Sequence, residues 1–247
     1  NFNFTVNFNC KPFIPYFPAG YHLSHLPNSF VIGLETPDLL VEVLKSVPKS
    51  PHNQFYADCY RAMLQALQYH VDQVLDMLSA VKLSGEFEFA GIDSSAAPSK
   101  NCSSMTKVYE LMGLPYFGAA GSVEVSALLT KVFKSIKRVP LVGFSGLMLA
   151  VTEDLGLAEG TQKQYFDIRA LLTYSAVCGI GLDTVPVAGN VKAETIAAIM
   201  RDTGTMAFRL NKPLTVRLFP IPNKVAGEIS EFESDDLCNC RLLHIPD

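Results

Sequence analysis

The sequence predicts an α/β fold in one domain spanning residues 1–247, and three observations carry that expectation. Short alternating or β-branched apolar runs recur between longer stretches of helical periodicity, the pattern of strands connected by helices. Hydrophobic residues fill 49% of the 247 positions and charged residues 18%, enough apolar side chain for a substantial core. No linker, internal repeat or low-complexity run divides the chain.

Phe2, Phe4, Val6 and Phe8 alternate with polar neighbours and predict a half-buried first strand. A proline-rich loop follows over 12–27. Residues 29–35 read as a second strand, and 37–47 as a short helix with Thr36 at its N-cap. A long helix is expected over 52–83. There Phe55, Cys59, Met63, Leu67, Val74, Leu78 and Val81 recur at steps of three, four or seven as one apolar stripe, and Gly85 stops it. His70, between Leu67 and Val74, reads as a packed core histidine.

Phe87, Phe89 and Gly91 alternate with Glu86, Glu88 and Ala90 in a strand over 86–92, closed by Asp93-Ser94-Ser95. Helices are expected over 103–112 and 122–136, then a short buried strand over 139–143. A helix over 166–177 ends at Cys178-Gly179, and an amphipathic helix over 192–210 stops before Pro213. A β-branched strand over 213–219 and an edge strand over 241–245 complete the order.

The net charge of −4 and the absence of a basic stripe argue against nucleic acid as a partner. The longest nearly apolar stretch, 139–151, is too short to span a bilayer and is broken by Gly143, Ser145 and Gly146. The first residues alternate instead of forming a signal-peptide block, and no initiator Met is present, so a processed or truncated cytoplasmic chain is expected. Six cysteines are too few for a disulfide scaffold, and reduced thiols are the default reading. Two glycosylation sequons, Asn3-Phe4-Thr5 and Asn101-Cys102-Ser103, point the other way, towards secretion.

Glycine-rich or polar segments stand where strands end, the usual place for ligands in α/β folds. In the first, Asp93 and Ser94 either cap a turn or meet a ligand. In the second, the backbone around Ser145 and Gly146 is suited to cradling an anion, but Gly143-Phe144-Ser145-Gly146 lacks the spacing of a nucleophile elbow. The third carries Cys178, Gly179, Gly181, Asp183 and Thr184. Its cysteine is either a nucleophile activated by a nearby cation or a small buried side chain in a tight turn. Arg217, on the fourth, reads as a carboxylate or phosphate clamp or as a surface charge. His22 in the proline-rich loop is a candidate acid or base. The five histidines and the Cys238-x-Cys240 pair show no zinc spacing. Asp93, Glu153, Asp154 and Asp183 would make a site for a divalent cation if the fold gathered them.

Read in order, several segments resemble an uncharacterised family found mainly in bacteria and archaea. They include Asn9-Cys10-Lys11-Pro12 and Pro15-Tyr16-Phe17-Pro18-Ala19-Gly20-Tyr21-His22. They continue through Gly91-Ile92-Asp93-Ser94, Gly118-Ala119-Ala120-Gly121 and Gly143-Phe144-Ser145-Gly146-Leu147-Met148-Leu149. The last are Tyr174-Ser175-Ala176-Val177-Cys178-Gly179-Ile180-Gly181-Leu182-Asp183-Thr184-Val185-Pro186 and Asn211-Lys212-Pro213-Leu214-Thr215-Val216-Arg217-Leu218.

That family is grouped with pyruvate formate-lyase-like α/β barrels, so the resemblance implies such a barrel. It also implies that this chain lacks N-terminal strands and forms the C-terminal part of a longer fold, completed by another segment, a second chain or a homo-oligomer. Ala226-Gly227 is followed by Glu228, which does not match a radical-bearing glycine loop. The expectation is therefore a non-radical enzyme acting on a small polar or anionic metabolite. Cys178, Asp183, Asp93 and His22 would do the chemistry, while Ser94, Ser145, Gly146, Gly179, Gly181, Thr184 and Arg217 would hold the ligand. The rival is a non-catalytic binding or assembly protein, because no catalytic triad, nucleotide-binding loop or metal signature is present.

Overall fold

The computed structural model describes residues 4–11, 25–81 and 87–246. Phe2, the first sequon's Asn3, His22 with most of the proline-rich loop, and Gly85 lie outside them. Among the described residues the chain forms five strands and seven helices. They are β1 (Val6–Phe8), β2 (Asn28–Gly33), α1 (Pro37–Lys45), α2 (His52–Ala80), β3 (Phe87–Asp93), α3 (Met105–Leu111) and α4 (Ser122–Lys134). There follow α5 (Leu155–Gln162), α6 (Ile168–Tyr174), β4 (Gly181–Ala188), α7 (Ala193–Arg209) and β5 (Leu214–Ile221).

The apolar stripe of α2 explains its packing. Phe55, Cys59, Met63, Leu67 and Val71 are all buried against α1 and α4. The last two turns leave the core, where Met77 and Val81 are exposed. His70 is also on the exposed side, its ring edge-on to Tyr69, so it is a surface histidine and not a core one. Thr36 sits at the N-cap of α1 as expected but makes no side-chain capping bond. By contrast, one carboxylate holds the starts of two helices. Asp154 accepts from Leu157 N at 3.0 Å as the N-cap of α5 and from Met105 N at 2.8 Å in the first turn of α3.

Two sheets result. In one the order is β1-β5-β4, with β1 antiparallel and β4 parallel to β5; α7 is the crossover that joins the parallel pair. In the other, β2 and β3 pair in parallel. Every residue of β4 is buried although it ends the sheet order, with Ala150 bridging to Asp183 and Leu243 to Val187 beside it. The segment after α4 connects the sheets. Ile92 N donates to Pro140 O at 3.0 Å and Val142 N to Ile92 O at 3.0 Å. Val151 N, at the segment's far end, donates to Asp183 O at 3.2 Å.

This arrangement corrects three expectations. Residues 139–143 form only a bridge at Leu141, because Pro140 lacks an N–H and Gly143 turns the chain through a positive φ. The edge strand at 241–245 is likewise reduced to bridges, Leu243 to Val187 and Arg241 to Ile229. The described residues are mixed α/β but close no barrel; two small sheets are joined through irregular backbone. None of the helices described is long and apolar enough to cross a membrane. The six cysteines are all free thiols.

Candidate functional site

The site begins where β3 and β2 end. Asp93 is the last residue of β3 and pairs in register with Gly33 at the end of β2. Its Oδ1 accepts from Ser95 N at 3.0 Å and Ser145 N at 3.2 Å. Ser145 holds a positive φ of 43°. Its hydroxyl donates to Val142 O at 2.7 Å and accepts from Ser94 N at 3.3 Å. Ser95 Oγ accepts from Gly146 N at 3.0 Å, while Ser94 Oγ donates to Phe133 O at 2.8 Å. These bonds fasten the loop at 144–146 to the tip of β3, so Ser94, Ser145 and Gly146 serve as framework.

Cys178, Gly179 and Gly181 are framework of the same kind. Cys178 is fully buried, and its sulfur accepts from Gly181 N at 3.3 Å. Gly179 N donates to Leu147 O at 2.9 Å, and a Cβ on Gly179 would lie 2.4 Å from the Gly146 Cα. The two glycines thus let two loops pack backbone to backbone. Lys212 Nζ closes the nearby end of α6 by donating to the carbonyls of Ser175 at 3.0 Å and Ala176 at 3.4 Å, and also to that of Cys178.

The charged centre arises from a bulge in β4. The register against β5 shifts between Leu182 and Val185, and Thr184 adopts a φ of 44°. Thr184 Oγ1 accepts from Thr152 N at 3.2 Å. Beside it, Asp183 Oδ1 accepts from Arg217 Nε of β5 at 2.6 Å. Arg217 Nη2 donates to Glu153 Oε1 at 2.9 Å. Asp183 is 0% exposed and Arg217 9%, so the pair is shielded from water. Asp183 Oδ2 is buried without a hydrogen-bond partner.

Burial pushes Asp183 above the usual carboxylate range, opposed by Arg217. Burial disfavours the Arg217 charge, but Asp183 and Glu153 more than offset that and raise its pKa. Glu153 is pushed up to about 7, chiefly by burial and then by the Asp183 charge, against the pull of Arg217. Burial also raises Asp93, although backbone N–H groups hold its charged form.

A cleft of about 400 Å³ opens over this centre, with Glu35, Asp93, Ser95, Met148, Glu153 and Arg217 on its walls. Of the residues the sequence singles out, Asp93, Arg217 and the candidate cation ligand Glu153 line it, and Asp183 is bonded to Arg217 behind it. Cys178, Ser94, Ser145, Gly146, Gly179, Gly181 and Thr184 are not on its walls. His22 lies outside the described residues. Asp154 is engaged as a helix cap, and no three His, Cys, Asp or Glu side chains among the described residues converge as a metal site. The sequence places Glu153 only among cation ligands and Ser95 only within the candidate segment that closes β3, and it gives Glu35 no role. The Glu153-Asp154 pair just before a helix was the available signal.

A UPF0210 protein of Pyrobaculum arsenaticum is 31% identical over 230 residues, covering 91% of this chain and 50% of that protein. One from Pyrobaculum aerophilum is 30% identical over 232 residues with the same coverage. A third, from Carboxydothermus hydrogenoformans, is 28% identical over 207 residues, covering 81% of this chain and 44% of the relative. The chain thus spans about half the length of the curated relatives it matches. The family model described as "Uncharacterised ACR (DUF711)" matches residues 1–234, and the chain belongs to that family.

Proposed function

We propose that the cleft over Arg217 is an acid–base site for a small polar metabolite, neutral or carrying a basic group. One observation carries this reading: the buried Asp183–Arg217 pair holds Glu153 at the cleft wall with its protonation balanced near neutral pH. Glu153 is the proton carrier. Arg217 fixes its position, and Asp183 fixes Arg217. Asp93 and Ser95 offer polar contacts on another wall, and Met148 an apolar one.

The charge count selects the ligand. Two Arg217 nitrogens already donate to Asp183 and Glu153, and three carboxylates line the cleft. An anion would meet repulsion from Glu35, Asp93 and Glu153, whereas a hydroxyl or ammonium group would find acceptors.

A thermal-shift screen against polyols, sugars, amines, amino acids and carboxylates tests this. A ligand at a hundred times its Kd adds about 2.7 kcal/mol of stability. The expected result is a neutral or cationic ligand whose effect is lost in both Glu153→Gln and Asp93→Asn. Stabilisation by carboxylates alone, or stabilisation that both variants retain, would overturn the reading.

A further inference from the structure

We propose that a second groove, built around Arg241, binds a small multivalent anion carrying carboxylate or phosphate groups. The turn after α5 faces the C-terminal segment across a groove of about 670 Å³, with Gln164, Tyr165, Gly227, Arg241 and His244 among its walls. A recess of about 380 Å³ shares Ala226, Leu243 and His244 with it. None of these residues lines the cleft over Arg217.

Arg241 is held in place by its backbone. Its N–H donates to Thr161 Oγ1 at 2.8 Å, and it bridges to Ile229. The neighbouring Leu242 exchanges bonds with Gly227 and Glu228, at 2.9 Å and 2.8 Å. The guanidinium lies against Gly227, where an added Cβ would stand 3.0 Å from Nη2. Gly227 therefore leaves room beside the charged fork.

The two partly or fully buried arginines differ in their partners. Arg217 is spent on Asp183 and Glu153. Arg241 is only partly exposed, yet among the described residues no carboxylate pairs with it and no acceptor takes a bond from its side chain. The acidic groups close by are engaged elsewhere. Asp167, an exposed carboxylate on the groove wall, caps α6 by accepting at Oδ1 from Ala170 N at 2.7 Å, and Glu228 Oε2 accepts from Val225 N at 2.6 Å.

A guanidinium without an acceptor gains most from a planar or tetrahedral oxyanion that takes two of its N–H bonds. The opposite wall adds polar donors. Gln164, held at a φ of 55° in the left-handed region, is among the residues of that wall. Tyr165 is fixed by stacking on Tyr116 with ring centroids 4.1 Å apart. Arg241 and His244 lie past residue 234, where the family match ends, whereas Gln164, Tyr165 and Gly227 lie within it.

The test is calorimetric titration of the 247-residue chain with citrate and with pyrophosphate. Binding of one or both is expected, with affinity at least tenfold weaker in Arg241→Gln and several-fold weaker in Gln164→Ala. Binding of citrate alone assigns carboxylates as the ligand chemistry, and binding of pyrophosphate alone assigns phosphates. Glu153→Gln should leave this binding unchanged, which separates it from the cleft over Arg217. The proposal is overturned if neither anion binds, or if Arg241→Gln binds as tightly as the parent. Should Arg241→Gln fail to fold, Gln164→Ala on the exposed wall decides, and unchanged affinity there overturns the proposal equally.

Discussion

Arg217 Nε stands 2.6 Å from Asp183 Oδ1, so neighbouring parallel strands are joined by a buried ion pair as well as by their backbone ladder. The bulge at Asp183 and Thr184 lets the carboxylate lie beside Arg217. A parallel strand buried on both faces is ordinarily apolar throughout. Instead the fold buries two opposite charges and brings a third group, Glu153, to the same guanidinium at 2.9 Å. Buried pairs seldom add stability over apolar packing, and breaking one is costly.

Removing the cation should expose that cost. Arg217→Met leaves Asp183 buried and unpaired, and the expected loss is about 3–5 kcal/mol in urea unfolding. The double variant Arg217→Met with Asp183→Leu should recover a large part of it. A single variant as stable as the parent would show that the pair is not closed in solution.

The raised Glu153 pKa fixes the sign of a pH effect. With an ordinary value of 4.5 and a folded value of about 7, the folded protein binds more protons than the unfolded chain between those limits. The contribution is therefore full below about pH 4.5, declines as pH rises towards 7, and stays low above that. At about 1.4 kcal/mol per pH unit, the change amounts to about 3 kcal/mol. Comparing unfolding of the parent and Glu153→Gln across this range isolates it, and the variant should lose most of the decline.

Close backbone packing makes Gly179 sensitive. A Cβ there would lie 2.4 Å from Gly146 Cα and 2.8 Å from Leu147 N, neither of which is a movable side-chain end. Gly179→Ala should cost at least about 1–3 kcal/mol. It should also loosen the loop at 144–146, seen as faster amide exchange at Ser145 and Gly146. Unchanged stability and exchange would mean that the two loops stand further apart.

Cys178 should behave as a core residue. It is 0% exposed, whereas Cys10 and Cys102 are partly exposed. Alkylation of the folded protein, read by peptide mass spectrometry, should label Cys10 and Cys102 first and Cys178 only on unfolding. Rapid labelling of Cys178 would restore it as a nucleophile.

Local pattern made much of this fold legible. The stripe from Phe55 to Leu67 marks α2, alternation marks β3, and the β-branched run Thr215-Val216 marks β5. Legibility failed where tertiary contacts outweigh local signals. β4 was hidden because Gly181 and Pro186 read as punctuation, yet the fully buried strand tolerates both. Gly181 takes a φ of 110° close to Thr215, and Pro186 gives its carbonyl to Leu243 N at 2.8 Å. α5 was missed because Gly156 and Gly160 depress helix propensity, but each meets a packed neighbour where a Cβ would collide. In the site, Asp93, Asp183 and Arg217 stood out as charges in apolar or glycine-rich runs. Nothing along the chain shows that Glu153, 64 positions from Arg217, shares its guanidinium, because that contact depends on where the segment after α4 meets β4.

The most direct test of the central claim is the titration of the Glu153 carboxyl carbon by 13C NMR, assigned by its disappearance in Glu153→Gln. The account predicts a midpoint near 7, shifted when Asp183 is replaced by Asn. A midpoint at the ordinary glutamate value of 4.5, unmoved by Asp183→Asn, would contradict it and leave the cleft without its proton carrier.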